Sequence, residues 1–464
     1  DGDGLSNLLE WQDAPSTYLV KAADPLQCPT GTFRTMTRTM EGGALWPYPV
    51  AEKYASGSDA MLRAIACPPW EFKRWEITPS GGSMQTSPAN PLFVTMDTDV
   101  AVHAVYGPDE DADIAPWIDD AALEQAIRVA VGSFGGPLYW SEVLDGKLTS
   151  LTASGLGISD LDGLELLVEL VTLDLYDNEI ADIEEVSMLT ALEELDLGRN
   201  SLTDISPLAA LVNLTAVELG CGNIFTRGVE PIPGQSNQMV DVSPLADLTQ
   251  LTFLGLSGND ITDVSPLADL ENLQYLFLSG NPATDFSSLY GLQDLLMLGL
   301  GGLGLNDTQM TALLSNWPDL LGADVSWNGL TSLSCVSSCT GLQILLAHGN
   351  LTLGSIAALS NTPDLQLLLA AGGQITSADA LAGVAPSYNT FYLQDNQITN
   401  LSALAAASFM YSYLDLTGNP LTQDDVCTHI PAMEARDNQV LYDALCGPSY
   451  SLGTAVSPAD SGAV

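Results

Sequence analysis

The first ten residues, DGDGLSNLLE, carry the oxygen ligands that a hard divalent cation takes: carboxylates at Asp1 and Asp3, the Leu5 carbonyl, the Asn7 amide, and Glu10, which can bind through both oxygens. They match the later part of D-x-D-x-D-G-x-x-x-x-x-E if Asp1 is the third loop position and Gly4 the turn glycine. Calcium is the cofactor such a loop would hold. A solvated acidic terminus is the alternative, because the loop's first ligand would lie before Asp1. Histidine chemistry is sparse: His103, His348 and His429 have no partner at a spacing that suggests a triad, a zinc motif or a phosphate loop. With 58 Asp and Glu in the chain, the proximity of any two carboxylates says nothing about acid–base work. The chain reads as non-enzymatic.

Seven cysteines admit two readings. In an exported protein Cys28 would pair with Cys67, Cys335 with Cys339 and Cys427 with Cys446, leaving Cys221 over. In a cytosolic protein all seven would be reduced and buried.

The elements that position these residues are set by a repeat. LVTLDLYDNEI, LEELDLGRNSL, LTFLGLSGNDI and LQYLFLSGNPA share L-x-x-L-x-L-x-x-N or its end. Asn178, Asn200, Asn259, Asn281, Asn328, Asn350, Asn396 and Asn419 occupy one repeat position, and Leu156, Gly222, Leu303 and Gly373 fill it elsewhere, which makes twelve turns, most of them 22 or 23 residues long. Each turn predicts one short strand and a tight return. Alone it cannot bury its apolar face, so Leu173, Leu175, Ile180 and Ile183 must pack against their counterparts one turn away. The Asn side chain is expected to bond backbone where the strand bends. DISPL at 204–208 and DVSPL at 241–245 and 263–267 place Ser before Pro, a helix-start signal on the return. The fold class is therefore an α/β leucine-rich-repeat solenoid, with a parallel sheet on its concave face and short 3-10 or helical returns.

These repeats resemble the internalin-type leucine-rich repeats of bacterial surface proteins, which share the 22-residue period and the D-I-S-P-L return. IDDAALEQAIRVAVG (118–132) spaces Leu123, Ile127, Ala130 and Val131 on one helical face, which suits a cap over the first repeat's open core, as in that family. The resemblance favours the disulfide reading of the cysteines. Upstream, Val94, Met96, Val100, Val102, Ala104 and Tyr106 alternate as in strands, and Trp70, Phe72 and Trp75 give a loose version of the G-x-x-F-x-x-W signature of divergent B-repeat modules. That likeness implies a small β-rich spacer or weakly adhesive domain. The N-terminal loop likewise resembles the D-x-D-G-D-G-L-S-N linkers that bind calcium in secreted bacterial proteins. The expected organisation is an acidic linker (1–27), a β-rich domain (28–107), a helical cap (108–147), the solenoid (148–425) and a C-terminal cap and tail (426–464).

Charge narrows the partner. The net charge is −46, and residues 1–110 hold seven of the twelve Lys and Arg. A nucleic-acid or anionic-membrane partner is disfavoured; a neutral, cationic or calcium-bridged one fits. Solvation of an exported protein in a saline habitat explains the acidity without any partner. No run of eighteen apolar residues is present to span a membrane. The chain begins at Asp1 with neither Met nor signal peptide, which suggests a mature, cleaved or trimmed product.

Strand alternation turns the residues six, four and two before each Asn position toward solvent. Early turns place Thr172, Asp174, Tyr176, Glu194, Asp196 and Glu218 there. Later ones place Phe253, Tyr275, Phe277, Met297, Ile344, Leu346, His348, Leu367, Leu369 and Tyr392. The expected site is a protein- or glycan-docking strip with Phe253, Tyr275 and Phe277 as its aromatic anchor; coverage of the strip by a neighbouring domain or subunit is the alternative. An insertion of about fifteen residues between Ile224 and Asp241 carries Arg227 and would form a loop on one rim, beside a binding site or merely tolerated. Two functions fit: an extracellular recognition or adhesion protein, or a self-assembling component of a surface layer or fibre, with calcium as a possible requirement.

Overall fold

The computed structural model describes residues 112–144, 146–222, 236–385, 388–408 and 410–443, together with six upstream strands and residues 83, 88 and 89. Those strands are β1 (Gly43–Tyr48), β2 (Asp59–Ala66), β3 (Trp70–Pro79), β4 (Gln85–Ser87), β5 (Leu92–Thr95) and β6 (Val100–Pro108). They form two antiparallel three-stranded sheets, ordered β1-β2-β5 and β4-β3-β6. Trp75 is wholly buried, and its indole N–H donates to the Ala89 carbonyl at 2.9 Å.

Helix α1 (Ala121–Val131) follows. Asp120 caps it by accepting from the backbone N–H groups of Ala122 and Leu123, and Gly132 ends it in the left-handed region at φ 74°. Its buried face is Leu123, Ala126, Ile127 and Arg128, and it packs against the first strand of the repeats. Two of the four predicted positions move: Ala130 is exposed and Val131 half-buried. At 100° per residue Ala130 lies on the stripe through Leu123 and Ile127, so its exposure belongs to its place in the helix's last turn and not to a rotation of the buried face.

The repeats contribute three-residue strands: β7 (Ser150–Thr152), β8 (Thr172–Asp174), β9 (Glu194–Asp196), β10 (Ala216–Glu218), β11 (Phe253–Gly255), β12 (Tyr275–Phe277), β13 (Met297–Gly299), β14 (Gly322–Asp324), β15 (Ile344–Leu346), β16 (Leu367–Leu369), β17 (Thr390–Tyr392) and β18 (Tyr413–Asp415). These are the twelve turns counted from the period. A thirteenth strand, β19 (Gln439–Leu441), pairs parallel to β18 from within the segment expected to be a C-terminal cap. The sheet is parallel throughout and runs in chain order, so the chain folds as a leucine-rich-repeat solenoid.

Equivalent residues pair one repeat apart. Leu254, Leu276, Leu298, Ala323, Leu345, Leu368, Phe391 and Leu414 form one inward column, every member at most 1% exposed. Each buried leucine contributes roughly 1.5–3 kcal/mol of burial. The repeat that begins at β13 is longer, and its return is helix α2 (Asp307–Leu314), capped by Asn306. Met310, Leu313, Leu314 and Trp317 are buried in it, with the Trp317 indole donating to the Leu292 carbonyl at 2.8 Å.

The asparagines are scaffold, as the spacing predicts. Asn281 Nδ2 donates at 2.9 Å to the Leu256 carbonyl of the preceding repeat and at 2.9 Å to that of Leu278, while its Oδ1 accepts the Ile261 N–H at 3.1 Å. Gly222 does not fill this seat as expected. Asn237, across the insertion, donates to the Leu197 and Leu219 carbonyls and accepts from the Leu202 N–H. A glycine has no side chain with which to bridge repeats, so the chain supplies the amide from Asn237, after the inserted residues.

The returns differ from the prediction in one detail. Ser265 is already inside the 3-10 turn, Val264 is its first flanking residue, and the group that caps it is Asp263, whose Oδ1 accepts the Ser265 N–H at 2.8 Å. Asp204, Asp241 and Asp285 do the same one repeat apart. The Asp of D-x-S-P is thus the capping residue, an Asx turn rather than a serine cap.

Replacing Asn281 with Ala leaves three buried backbone groups without partners and is expected to cost about 3 kcal/mol. Denaturant unfolding measures this; a loss under about 1 kcal/mol would show that water substitutes for the amide.

Candidate functional site

The outward face of β11–β18 is built by strands whose inner residues are locked into the core, so the alternate residues must face away from it. Phe253, Tyr275, Met297, Ile344, His348, Leu367, Leu369 and Tyr392 are half-buried there. Phe277 and Leu346, expected to be open, are only 2% and 3% exposed. Tyr176 is also buried: its hydroxyl donates to the Cys221 carbonyl at 3.2 Å, and the Arg199 guanidinium lies 6.0 Å from its ring centre.

The reason is the glycine on the next strand. Phe277 pairs with Gly299, and a Cβ at Gly299 would stand 2.8 Å from the Phe277 ring. The ring therefore lies down across β13, with Phe253 5.7 Å away on its other side. Met297 lies over Gly322 and the Glu218 carboxylate over Gly255 in the same way. Phe253 and Tyr275, 6.3 Å apart, complete an aromatic pavement of which Phe277 is the floor rather than the exposed anchor.

Asp324 sits at the centre of this face and is buried. Its carboxylate accepts from the Ser326 N–H at 2.9 Å, the Ser326 hydroxyl at 2.5 Å and the Ser279 hydroxyl at 3.0 Å. Burial pushes its pKa above the ordinary 3.8; the hydroxyls, the amide and the nearby His348 offset part of that rise. Beside it Trp327 is 59% exposed and holds a left-handed backbone at φ 52°, where neighbouring repeats use Gly258, Gly280, Gly302 and Gly349. Its ring lies against Gly349 and meets His348 edge-on at 5.9 Å. A bulky residue in that region costs of order 1 kcal/mol, and the site spends it on an exposed indole. The signal was present in the sequence as SWN where other repeats read SGN.

Four tyrosines gather at the far end of the face. Tyr392 and Tyr413 lie 5.4 Å apart on β17 and β18. Tyr388 and Tyr411, two residues before the first residue of each strand, stack at 5.6 Å with 26° between their planes. Burial raises the Tyr413 pKa, with Asp415 and Tyr392 adding to the rise.

Cys335 and Cys339, expected to pair, are free buried thiols. Aligned on the DVSPLADL return, Cys339 takes the place of the core residue Leu270 and Cys335 that of Pro266. Cys339 Sγ contacts the Trp317 carbonyl at 3.6 Å, and burial pushes the Cys335 thiol up to about 12. Cys221 is a buried thiol whose Sγ lies 3.7 Å from the Gly222 carbonyl. The expected calcium ligands Asp1, Asp3, Leu5, Asn7 and Glu10, together with Arg227, Cys28, Cys67 and Cys446, lie outside the described residues, so the pairings of Cys28 with Cys67 and of Cys427 with Cys446 stay expectations.

His429 does acquire carboxylate neighbours, Asp425 at 2.9 Å and Asp424 at 3.7 Å. Thr422, however, donates its hydroxyl to Asp425 at 2.6 Å and not to the imidazole, and Asp425 also accepts the Leu401 N–H. That order ties the last repeat to its cap, with the Asp425 carboxylate shared between Thr422, the Leu401 amide and His429.

A family model for leucine-rich repeats, two copies, matches residues 249–291. No curated protein matches the chain. Among solved structures, an internalin (inlF) from Listeria monocytogenes is 24% identical, covers 72% of this chain and 97% of its own, and has a TM-score of 0.54. An internalin C2 from the same bacterium is 25% identical, covers 67% and 96%, and has a TM-score of 0.36. A leucine-rich-repeat protein of Leptospira interrogans is 20% identical, covers 64% and 72%, and has a TM-score of 0.43. The first likeness establishes a shared fold, that of internalin repeats.

Asp324 generates a pH prediction. A carboxyl whose folded pKa exceeds its unfolded one holds its proton more tightly when folded, so its contribution is greatest below about pH 3.8 and fades as pH rises through the folded value. Asp324→Asn should therefore gain stability relative to the parent at pH 7 but not at pH 3, read as denaturation midpoints. An equal change at both values would refute the assignment.

Proposed function

We propose that the chain is a secreted or cell-surface, non-enzymatic recognition or adhesion protein that binds a protein or glycan through the outward face of β11–β18. The observation that carries this reading is the apolar and aromatic composition of that face. Phe253, Tyr275, Met297, Ile344 and Leu367 follow one another on consecutive strands, interrupted by Gly322, and keep part of their surface in water. Trp327 beside them adds an exposed ring of the kind that dominates interface energetics. Residues 28–107 belong to the same proposal as a B-repeat-like spacer, and the acidic loop from Asp1 to Glu10 as a calcium-binding linker. No described helix is long and apolar enough to cross a membrane, which is compatible with an extracellular place.

A photo-cross-linking residue at Tyr275, compared with one at Ser287 on a return, tests the reading on the source cell surface. Adducts from position 275 alone, of mass above a multiple of the chain, are expected. Adducts equal from both positions would remove the site from this face, and adducts of two copies of the chain would replace recognition by self-assembly.

A further inference from the structure

The tyrosine cluster at the end of the sheet has a feature that the central strip lacks. Tyr388 is 79% exposed and Tyr411 52% exposed, yet their rings stack on each other rather than on the core. The residues that follow them, Asn389 and Ser412, are buried and joined by a 3.2 Å hydrogen bond, which holds the two ring-bearing segments side by side. Tyr411 is kept at φ 55°, a conformation that a glycine would adopt without strain. A stacked, exposed pair, one member of which is held on a strained backbone, is not explained by packing.

The electrostatic setting selects what such a pair takes. From residue 228 to 435 the chain contains no Lys or Arg, against nineteen Asp and Glu. Asp395, exposed, and Asp415, half-buried, follow the tyrosines on the same two repeats. An aromatic face carries partial negative charge, so rings and carboxylates here act in the same sense. A planar guanidinium can stack on a tyrosine while donating to a carboxylate, which a compact ammonium does less well.

We propose that Tyr388, Tyr411, Tyr392 and Tyr413, with Asp395 and Asp415, form a docking site for an arginine-bearing segment of a partner protein. The proposal rests on the reading of this sheet as a recognition surface and names the chemistry that one end of it selects. One arginine of the partner stacks on the Tyr388–Tyr411 pair, and Asp415 and Asp395, four and seven residues further along the same two segments, attract the rest of the segment's positive charge.

The test uses the full chain and labelled hexa-arginine and hexa-lysine peptides, titrated by fluorescence anisotropy at about 0.15 M salt. The parent should bind hexa-arginine the more tightly. The double variant Tyr388→Ala, Tyr411→Gly removes both rings and relieves the backbone at 411, so folding is preserved; its affinity for hexa-arginine should fall at least about fivefold. Tyr388→Phe with Tyr411→Phe keeps the ring faces and should bind as the parent does. Unchanged affinity in the ringless variant, or equal affinity for the two peptides, would show attraction to net charge alone and overturn the proposal. Loss in the Phe variant would assign recognition to the hydroxyls, as for a sugar, and overturn it too. Adducts from Tyr275 together with either of these results would sink this inference while leaving the wider binding surface standing.

Discussion

The fold depends on one constraint: a repeat cannot satisfy its own backbone. Each strand is three residues long, and the carbonyls at its end meet an amide from the following repeat. Asn200 bonds the Leu175 carbonyl, Asn281 that of Leu256 and Asn350 that of Val325. An orphaned buried carbonyl costs about 1–3 kcal/mol, so the seat is conserved in geometry even where its sequence position moves. The insertion after Gly222 illustrates this. The chain is interrupted at the bend, yet the amide reappears at Asn237 in the same bonding role.

The same close spacing governs the outward face. Parallel strands about 4.8 Å apart give a large side chain no room to stand beside another large one at the same level. Glu218, Phe277 and Met297 resolve the crowding by lying over Gly255, Gly299 and Gly322. Asp324 shows the electrostatic counterpart: with Gly301 leaving space, its carboxylate folds back onto Ser279 and Ser326 and loses contact with water. The face is thus flatter and more polar in its interior than a list of its residues suggests.

Much of the scaffold was legible because period and burial follow from the same requirement. The Leu columns, the Asn seats and the twelve turns came directly from L-x-x-L-x-L-x-x-N. The returns were partly legible: D-x-S-P marks them, but which residue caps depends on whether Ser lies before or within the turn. The site was less legible for a physical reason. Alternation predicts which side a residue faces, while its exposure depends on the neighbour one repeat away, as for Phe277 over Gly299. The cysteine spacing misled similarly, since Cys335 takes a proline seat and Cys339 a core leucine seat of one return, with Val336 in the core seat between them, and the two read as a staple only when that alignment is ignored.

Exposure is therefore greatest where the sheet cannot press a side chain down. Trp327 lies just beyond the end of β14, and Tyr388 and Tyr411 lie just before β17 and β18. At these places the neighbouring residue turns into the seam: Asn328 after Trp327, Asn389 after Tyr388 and Ser412 after Tyr411. The inward residue fixes the backbone, and the adjacent side chain is carried outward on a rigid base with little freedom left to lose on binding. Variation at these flanking positions changes what is displayed without disturbing the column of leucines beneath. The strand interior sets the platform, and the residues bracketing it present the most accessible chemistry.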